Sequence, residues 1–146
     1  MLTIATLLNK DDYELCLKIR REVFIQEQNV PEDIEVDEFE STAQHFLVRS
    51  DGIPVGTGRF RVKDQYIKFE RIATLNEFRG QGIGRFLMTE MMKEAQKHFS
   101  HLTPFMYSQK DAVSFYEKLG WVKVGEEFIE ANIPHHAMSF KTKPLV

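Results

Sequence analysis

The chain has one cysteine, five prolines and eight glycines in 146 residues. A lone thiol closes no internal disulfide, so the fold has to be held by packing alone. No apolar run is long enough to span a bilayer, and Met1-Leu-Thr-Ile is not a basic-then-apolar leader, so a cytoplasmic protein without membrane contact is expected. Positive charge is also short. The 19 basic residues are outnumbered by 22 acidic ones, a formal net charge of -3, which argues against a nucleic-acid partner. Repeats, linkers and low-complexity tracts are missing, so one domain over residues 1–146 is expected. What is present is 42% hydrophobic residues, enough to bury a core without metal or crosslinks.

Hydrophobic periodicity gives the order of elements. A strand is expected over Leu2–Leu8, then Asn9 as the N-cap of a helix reaching about Gln28, with Leu15, Cys16, Ile19 and Val23 buried. Cys16 therefore reads as core. Pro31 bars continuation of the helix. Glu32, Asp33, Glu35, Asp37, Glu38 and Glu40 crowd the next segment, a loop or short helix that reads as a solvated face or as an acidic lip that draws in a cationic amine. Strands follow over His45–Arg49, Ile53–Val62 and Tyr66–Thr74, joined by tight turns. A helix over Gly80–Phe99 leads to a strand at Leu102–Ser108, parallel to the Tyr66–Thr74 strand through a helical crossover. A short helix capped by Asp111 and stopped by Gly120, then strands over Trp121–Phe128 and His136–Lys141, complete the chain.

The segment richest in chemistry runs from Lys68 to Phe99. Gly80, Gly82 and Gly84 fall where a strand becomes a helix, leaving the first helical N–H groups bare at the positive end of the dipole. Such a joint suits a pyrophosphate. Arg85-Phe86 after Gly84 departs from a P-loop, and Arg85 stands where a dinucleotide fingerprint needs glycine. A glycine turn without ligand is the plain alternative.

Arg79-Gly80-Gln81-Gly82-Ile83-Gly84 resembles the Arg/Gln-x-x-Gly-x-Gly/Ala signature with which the GNAT superfamily of N-acetyltransferases holds acetyl-coenzyme A. Ala112-Val-Ser-Phe-Tyr-Glu-Lys-Leu-Gly-Trp121 is similar to that superfamily's second signature, in the right order. The Arg-x-x-Val-Phe-x-x-Glu-Gln run of Arg20 to Gln28 resembles one bacterial branch whose acceptors are poorly defined. The resemblance implies an α/β (α+β) fold: a mixed, mostly antiparallel sheet of six or seven strands, helices on both faces, and a splayed central strand pair that admits the pantetheine arm.

It also implies roles. Acetyl-coenzyme A would be the co-substrate, without metal, held by Ile72, Ala73 and Thr74 along the pantetheine and by Arg79, Gly80, Gln81, Gly82, Ile83, Gly84 and Arg85 at the pyrophosphate. The Ile72 N–H, at a bulge, would face the developing oxyanion. Tyr116 would protonate the departing thiolate, an unperturbed phenol keeping its proton to ~10; composition alone favours a core role for Tyr116, and its place in the second signature reverses that. Arg20, Glu27 and Gln28 would contact the acceptor, or simply charge a helix end.

The base is open between Glu70 and His135. Strand alternation places Glu70 on the same face as Ile72, and Glu70 distantly resembles the acidic residue of glucosamine-phosphate N-acetyltransferases, although Arg71 replaces the aspartate those enzymes carry next. His135 competes because imidazole ordinarily titrates near ~6.5. Of His135 and His136, adjacent on a strand, at most one can reach the cleft. The expected activity is acetyl transfer to a primary amine of a small molecule, by a monomer or homodimer; alternatives are a protein or peptide acceptor, or a sensor that binds acyl-coenzyme A without turnover.

Overall fold

A computed structural model describes residues 1–140, without the side chains of residues 33 and 34. Seven strands, β1 (Leu2–Ala5), β2 (Gln44–Ser50), β3 (Ile53–Lys63), β4 (Tyr66–Thr74), β5 (Thr103–Gln109), β6 (Trp121–Glu130) and β7 (Ile133–Phe140), form one sheet in the order β1-β2-β3-β4-β5-β7-β6. Only β4 and β5 run parallel. The crossover between them is α3 (Ile83–His98). The other helices are α1 (Lys10–Arg20), which widens into a π-helical turn over Arg21–Glu27, α2 (Glu32–Glu35) and α4 (Val113–Lys118). This is the mixed sheet expected from the sequence.

Strand alternation sends two sets of side chains in opposite directions. Phe46, Val48, Phe60, Ile67, Phe69, Met106 and Met138 pack on Ile83, Leu87, Met88, Met91 and Ala95 of α3 and on Tyr116 of α4. Burying apolar side chains of this size is worth about 1.5–3 kcal/mol each. On the other face Leu47 and Ala73 meet Cys16, Ile19 and Val23. Cys16 is fully buried and burial pushes its thiol up to about 11, as a core residue rather than a nucleophile requires.

Local chemistry explains where the elements begin. Asn9 caps α1, its Oδ1 accepting the Asp12 N–H at 2.8 Å. Asp111 does not cap α4. A 3-10 turn over Lys110–Ala112 takes Asp111 into its interior, and Ala112 holds the cap position with no side-chain bond. Gly80 and Gly82 have φ of 80° and 83°, outside the helical region, so α3 starts at Ile83 rather than Gly80. The last strand starts at Ile133 rather than His136, because Ala131 and Asn132 with φ of 50° and 63° make a tight hairpin turn from a longer β6. The expected end of that strand at Lys141 lies outside the described residues.

Two irregularities open the sheet. The β4–β5 register ends at Phe69 opposite Met106. Two residues later β4 is bulged, with Arg71 at φ 56° and the register to β3 shifting between Thr57 and Arg59. Beyond that point β4 and β5 diverge.

Gly120 ends α4 at φ 103°, and a Cβ there would come within 2.9 Å of Phe140 Cε2. Gly120→Ala should therefore cost about 1–3 kcal/mol through backbone strain and overpacking. Denaturant unfolding measures it, and an unchanged midpoint would contradict this packing.

Candidate active site

The divergence of β4 and β5 leaves a cleft of about 760 Å³ that passes from one side of the sheet to the other. Its walls are the ends of β4 and β5, the N-terminus of α3, the first turns of α4, the π-helical turn, and the start of β7.

At one end lie Gly80, Gly82, Ile83, Gly84 and Arg85. A Cβ added at Gly80 or Gly82 would meet nothing within 4 Å, so the backbone there is open. Phe86 N–H closes the first helical bond to Gly82 O, leaving earlier amides free of helical partners. An anionic pyrophosphate fits this donor set. Arg79 is anchored beside it, donating to Thr74 O at 3.0 Å and paired with Glu27 at 2.8 Å. Gln81 is exposed and does not line the cleft.

Along the middle run Ile72, Ala73 and Thr74. Arg71 and Ile72 have no register partner on β3, and β5 has already left. Ile72 packs toward α3, where a Cβ on Gly58 would meet both Ile72 Cδ1 and Met91 Sδ at 2.8 Å. Tyr116 stands across the cleft on α4, 7% exposed, and its hydroxyl bonds to no described residue. Burial pushes its phenol above the ordinary range, so it is protonated at neutral pH.

Glu70 departs from expectation. The bulge at Arg71 breaks the alternation, so Glu70 and Ile72 face opposite sides of the sheet. Glu70 points into a group of cations: Arg61 Nε at 2.7 Å, Arg59 at 3.2 Å and Lys68 Nζ at 3.2 Å. Burial alone would raise its carboxyl, but these cations outweigh burial and hold it below the usual carboxylate range. A carboxylate so stabilised is a poor proton acceptor.

His135 lines the cleft and His136 does not. Nδ1 of His135 lies 2.6 Å from Ile133 O, which only accepts, so Nδ1 carries a hydrogen and Nε2 is the nitrogen left to act as acceptor in the neutral ring. The ring stacks on Phe128 at 5.7 Å.

The acidic segment opens with the short helix Glu32–Glu35, and while Glu32 and Glu38 stay exposed, Glu35, Asp37 and Glu40 are turned inward onto arginines. Arg20, 1% exposed, donates to Glu35 at 2.6 Å and to both oxygens of Glu40 at 2.7 and 2.8 Å. Arg59, fully buried, pairs with Asp37 at 2.7 Å and Glu40 at 2.6 Å. Arg71 reaches Glu35 O at 3.0 Å and Asp37 Oδ2 at 3.1 Å. Arg20 is thus an internal strut rather than a substrate contact, because two carboxylates and burial take its whole guanidinium. Glu27 is held by Arg79 outside the lining, and only Gln28 of that trio faces the cleft, bonded to Gln109 at 2.7 Å.

The sequence reading missed Arg59, Arg61 and Lys68. Their signal was there: charges at every second position of two otherwise apolar strands, Arg59-x-Arg61 opposite Lys68-x-Glu70, as the register of β3 on β4 pairs them.

A sheet opened between two parallel strands, with a bare helix N-terminus at its mouth, belongs to acyl-coenzyme A-dependent acyltransferases. The family model described as the acetyltransferase (GNAT) domain matches residues 9–142, and the chain belongs to that family. The uncharacterized N-acetyltransferase YjcF of Bacillus subtilis (strain 168) is 39% identical over 132 residues, 89% of this chain and 93% of that one. Among solved structures, an acyl-CoA N-acyltransferase from Pseudomonas aeruginosa aligns at TM-score 0.85 and 25% identity, covering 97% of this chain and 99% of its own. Escherichia coli ElaA aligns at TM-score 0.88 and 23% identity, covering 97% and 100%. Among the described residues no helix is long and apolar enough to cross a membrane.

Glu40 joins the two buried guanidinium groups. Burial would raise its carboxyl, but Arg20, the Asp37 N–H and Arg59 overcome this and lower it far below the unfolded value. A lowered carboxyl contributes stability above its unfolded pKa and loses it as pH falls toward the folded one. Stability should therefore fall with acid from about pH 4.5 downward. Glu40→Gln should cost about 3–5 kcal/mol at neutral pH by stranding buried charge, and flatten that acid slope. Urea titrations across pH measure both.

Proposed function

We propose that the protein transfers the acetyl group of acetyl-coenzyme A directly to a primary amine of a small molecule. The observation that carries this reading is the unpaired stretch of β4 at Ile72, facing Tyr116 across the cleft whose end is the open glycine backbone before α3. In this reading Gly80 to Gly84 and Arg85 hold the pyrophosphate, and Ala73 and Thr74 extend their strand edge to the amides of the pantetheine arm. The Ile72 N–H donates to the acyl oxygen as it gains charge. Tyr116 delivers its proton to the departing sulfur. His135 Nε2, with its lone pair free, takes a proton from the attacking amine directly or through water. Glu70 is given an electrostatic role instead, as the anion that gathers Arg61 and Lys68.

The cleft is walled by the sheet end, the π-helical turn and β7, a recess whose depth favours a small acceptor over a flat protein surface. Release of free coenzyme A thiol, followed across an amine panel, tests the activity. Tight binding of acetyl-coenzyme A without turnover on any amine would make the protein a sensor instead.

Variants test the roles. Gly82→Asp places a carboxylate at the phosphate site and should weaken acetyl-coenzyme A binding by at least about 10²-fold, since charge-assisted bonds are replaced by repulsion. Calorimetry with unchanged affinity would remove that assignment. Tyr116→Phe should lower kcat about 10²-fold with cofactor affinity retained, the scale of one general acid. His135→Gln should lower kcat/KM more than Glu70→Gln does, and the opposite ranking would return the proton to Glu70.

A further inference from the structure

Resting on this reading, the cations beside Glu70 identify what else the acceptor carries. Arg61 and Lys68 both line the cleft, each side chain 11% exposed. Their described carboxylate partner is the same one. Arg61 reaches Glu70 only through Nε, at 2.7 Å, and Lys68 meets the other Glu70 oxygen at 3.2 Å. Glu70 is further shared with Arg59.

Donors therefore exceed acceptors at this wall. Both terminal nitrogens of Arg61 bond to no described residue. That guanidinium is nevertheless held in place: its plane carbon lies 3.7 Å from the centroid of the Phe39 ring, and Nε is tied to Glu70. Lys68 Nζ lies 4.4 Å from the centroid of Tyr107, a contact that holds the ammonium without satisfying its N–H donors. Phe39 and Tyr107 line the cleft as well. Other carboxylates nearby are already engaged, Asp37 by Arg59 and Arg71 and Glu35 by Arg20. A fixed fork with two free ends beside an ammonium is a receptor for an anionic oxygen group.

Ring contacts also connect the wall to the proposed base. Tyr107 contacts Phe128 at 5.1 Å, and Phe128 stacks on His135 at 5.7 Å. From the anion receptor to the proposed base is a span bridged by two rings.

We propose that the acceptor is an amine that also carries a carboxylate or phosphate, and that Arg61 and Lys68 bind that anionic group. The reaction balances as an ordinary acyl transfer. The amine nitrogen bonds to the acetyl carbon, the C–S bond breaks, and the sulfur leaves with a proton while the amine gives one up.

A panel with three arms tests it: free amino acids, α- and ω-; aminohexose phosphates and phosphoethanolamine; and the methyl esters, amides and polyamines that lack an anion. The anionic arms should be favoured in kcat/KM by about 10- to 100-fold over their neutralised counterparts, the scale of one charged hydrogen bond. Whichever arm leads identifies the carboxylate or the phosphate. Arg61→Gln and, separately, Lys68→Met should raise KM for that acceptor about ten-fold or more while KM for acetyl-coenzyme A stays put. Thermal melts of both variants check folding.

If esters and polyamines match or beat the anionic amines, the inference falls while the acetyltransferase reading stands. If acetyl-coenzyme A binds but nothing turns over, titration of N-acetylated amino acids and their methyl esters into the coenzyme A complex decides it. Binding of the free acids that Arg61→Gln weakens supports the receptor, and equal binding of acid and ester overturns it. Failure to bind acetyl-coenzyme A at all overturns both readings.

Discussion

Backbone N–H and C=O groups inside a sheet need partners, and the structure is arranged around the place where β4 has none. Up to Phe69 it pairs on both sides. At Arg71 the chain enters the left-handed region, which a non-glycine residue reaches only at a cost of about 1–3 kcal/mol. The compensation is visible: Arg71 donates to Glu35 O and Asp37 Oδ2, so the bulge is pinned to the loop beneath it. A strand edge left open in this way is a template for an extended chain with amide groups, which is the chemistry of a pantetheine arm.

That loop could not serve as an anchor if it were solvated. Arg20 and Arg59 convert it into part of the interior by taking up Glu35, Asp37 and Glu40. Buried ion pairs of this kind add little net stability against an apolar replacement. Their effect here is positional. Each guanidinium fork accepts one geometry of its carboxylates, so α1, the loop and β3 are locked at fixed spacing beneath the bulge. An apolar core at the same site would pack without fixing where Arg71 points.

Much of this was legible in the sequence. Periodicity located the strands of the central sheet and α3, because each buries a regular apolar face, and the glycine joint announced an open helix start. The motif positions of Tyr116 and Ile72 fell on the cleft. Three things were hidden. The bulge that the resemblance implied at Ile72 has no signature in the strand itself, its positive-φ residue being arginine rather than glycine, so alternation carried past it put Glu70 on the wrong face. The acidic run was read without its partners, which lie on α1, β3 and β4 and meet it only in the folded chain. Gly125-Glu126-Glu127 interrupts alternation in β6, where the register to β7 shifts between Val124 and Phe128, which hid the strand's true length and displaced the start of β7.

The sign of charge at the cleft wall bears on reactivity as well as recognition. An acceptor amine arrives as an ammonium and attacks only after losing a proton. Burial already lowers Lys68 against the pull of Glu70, which marks this wall as a place where extra positive charge is unwelcome. An ammonium roughly 7 Å from one uncompensated cation, at an effective dielectric of about 20, is raised in energy by roughly 2 kcal/mol, or between one and two pKa units. An anion bound at Arg61 and Lys68 would cancel that excess, so in the proposed complex the wall would not by itself drive the amine to its neutral form. Glu70 tempers the effect. With the Glu70 carboxylate and the acceptor's anion together balancing Arg61 and Lys68, removal of the ammonium proton would fall to the base proposed at His135.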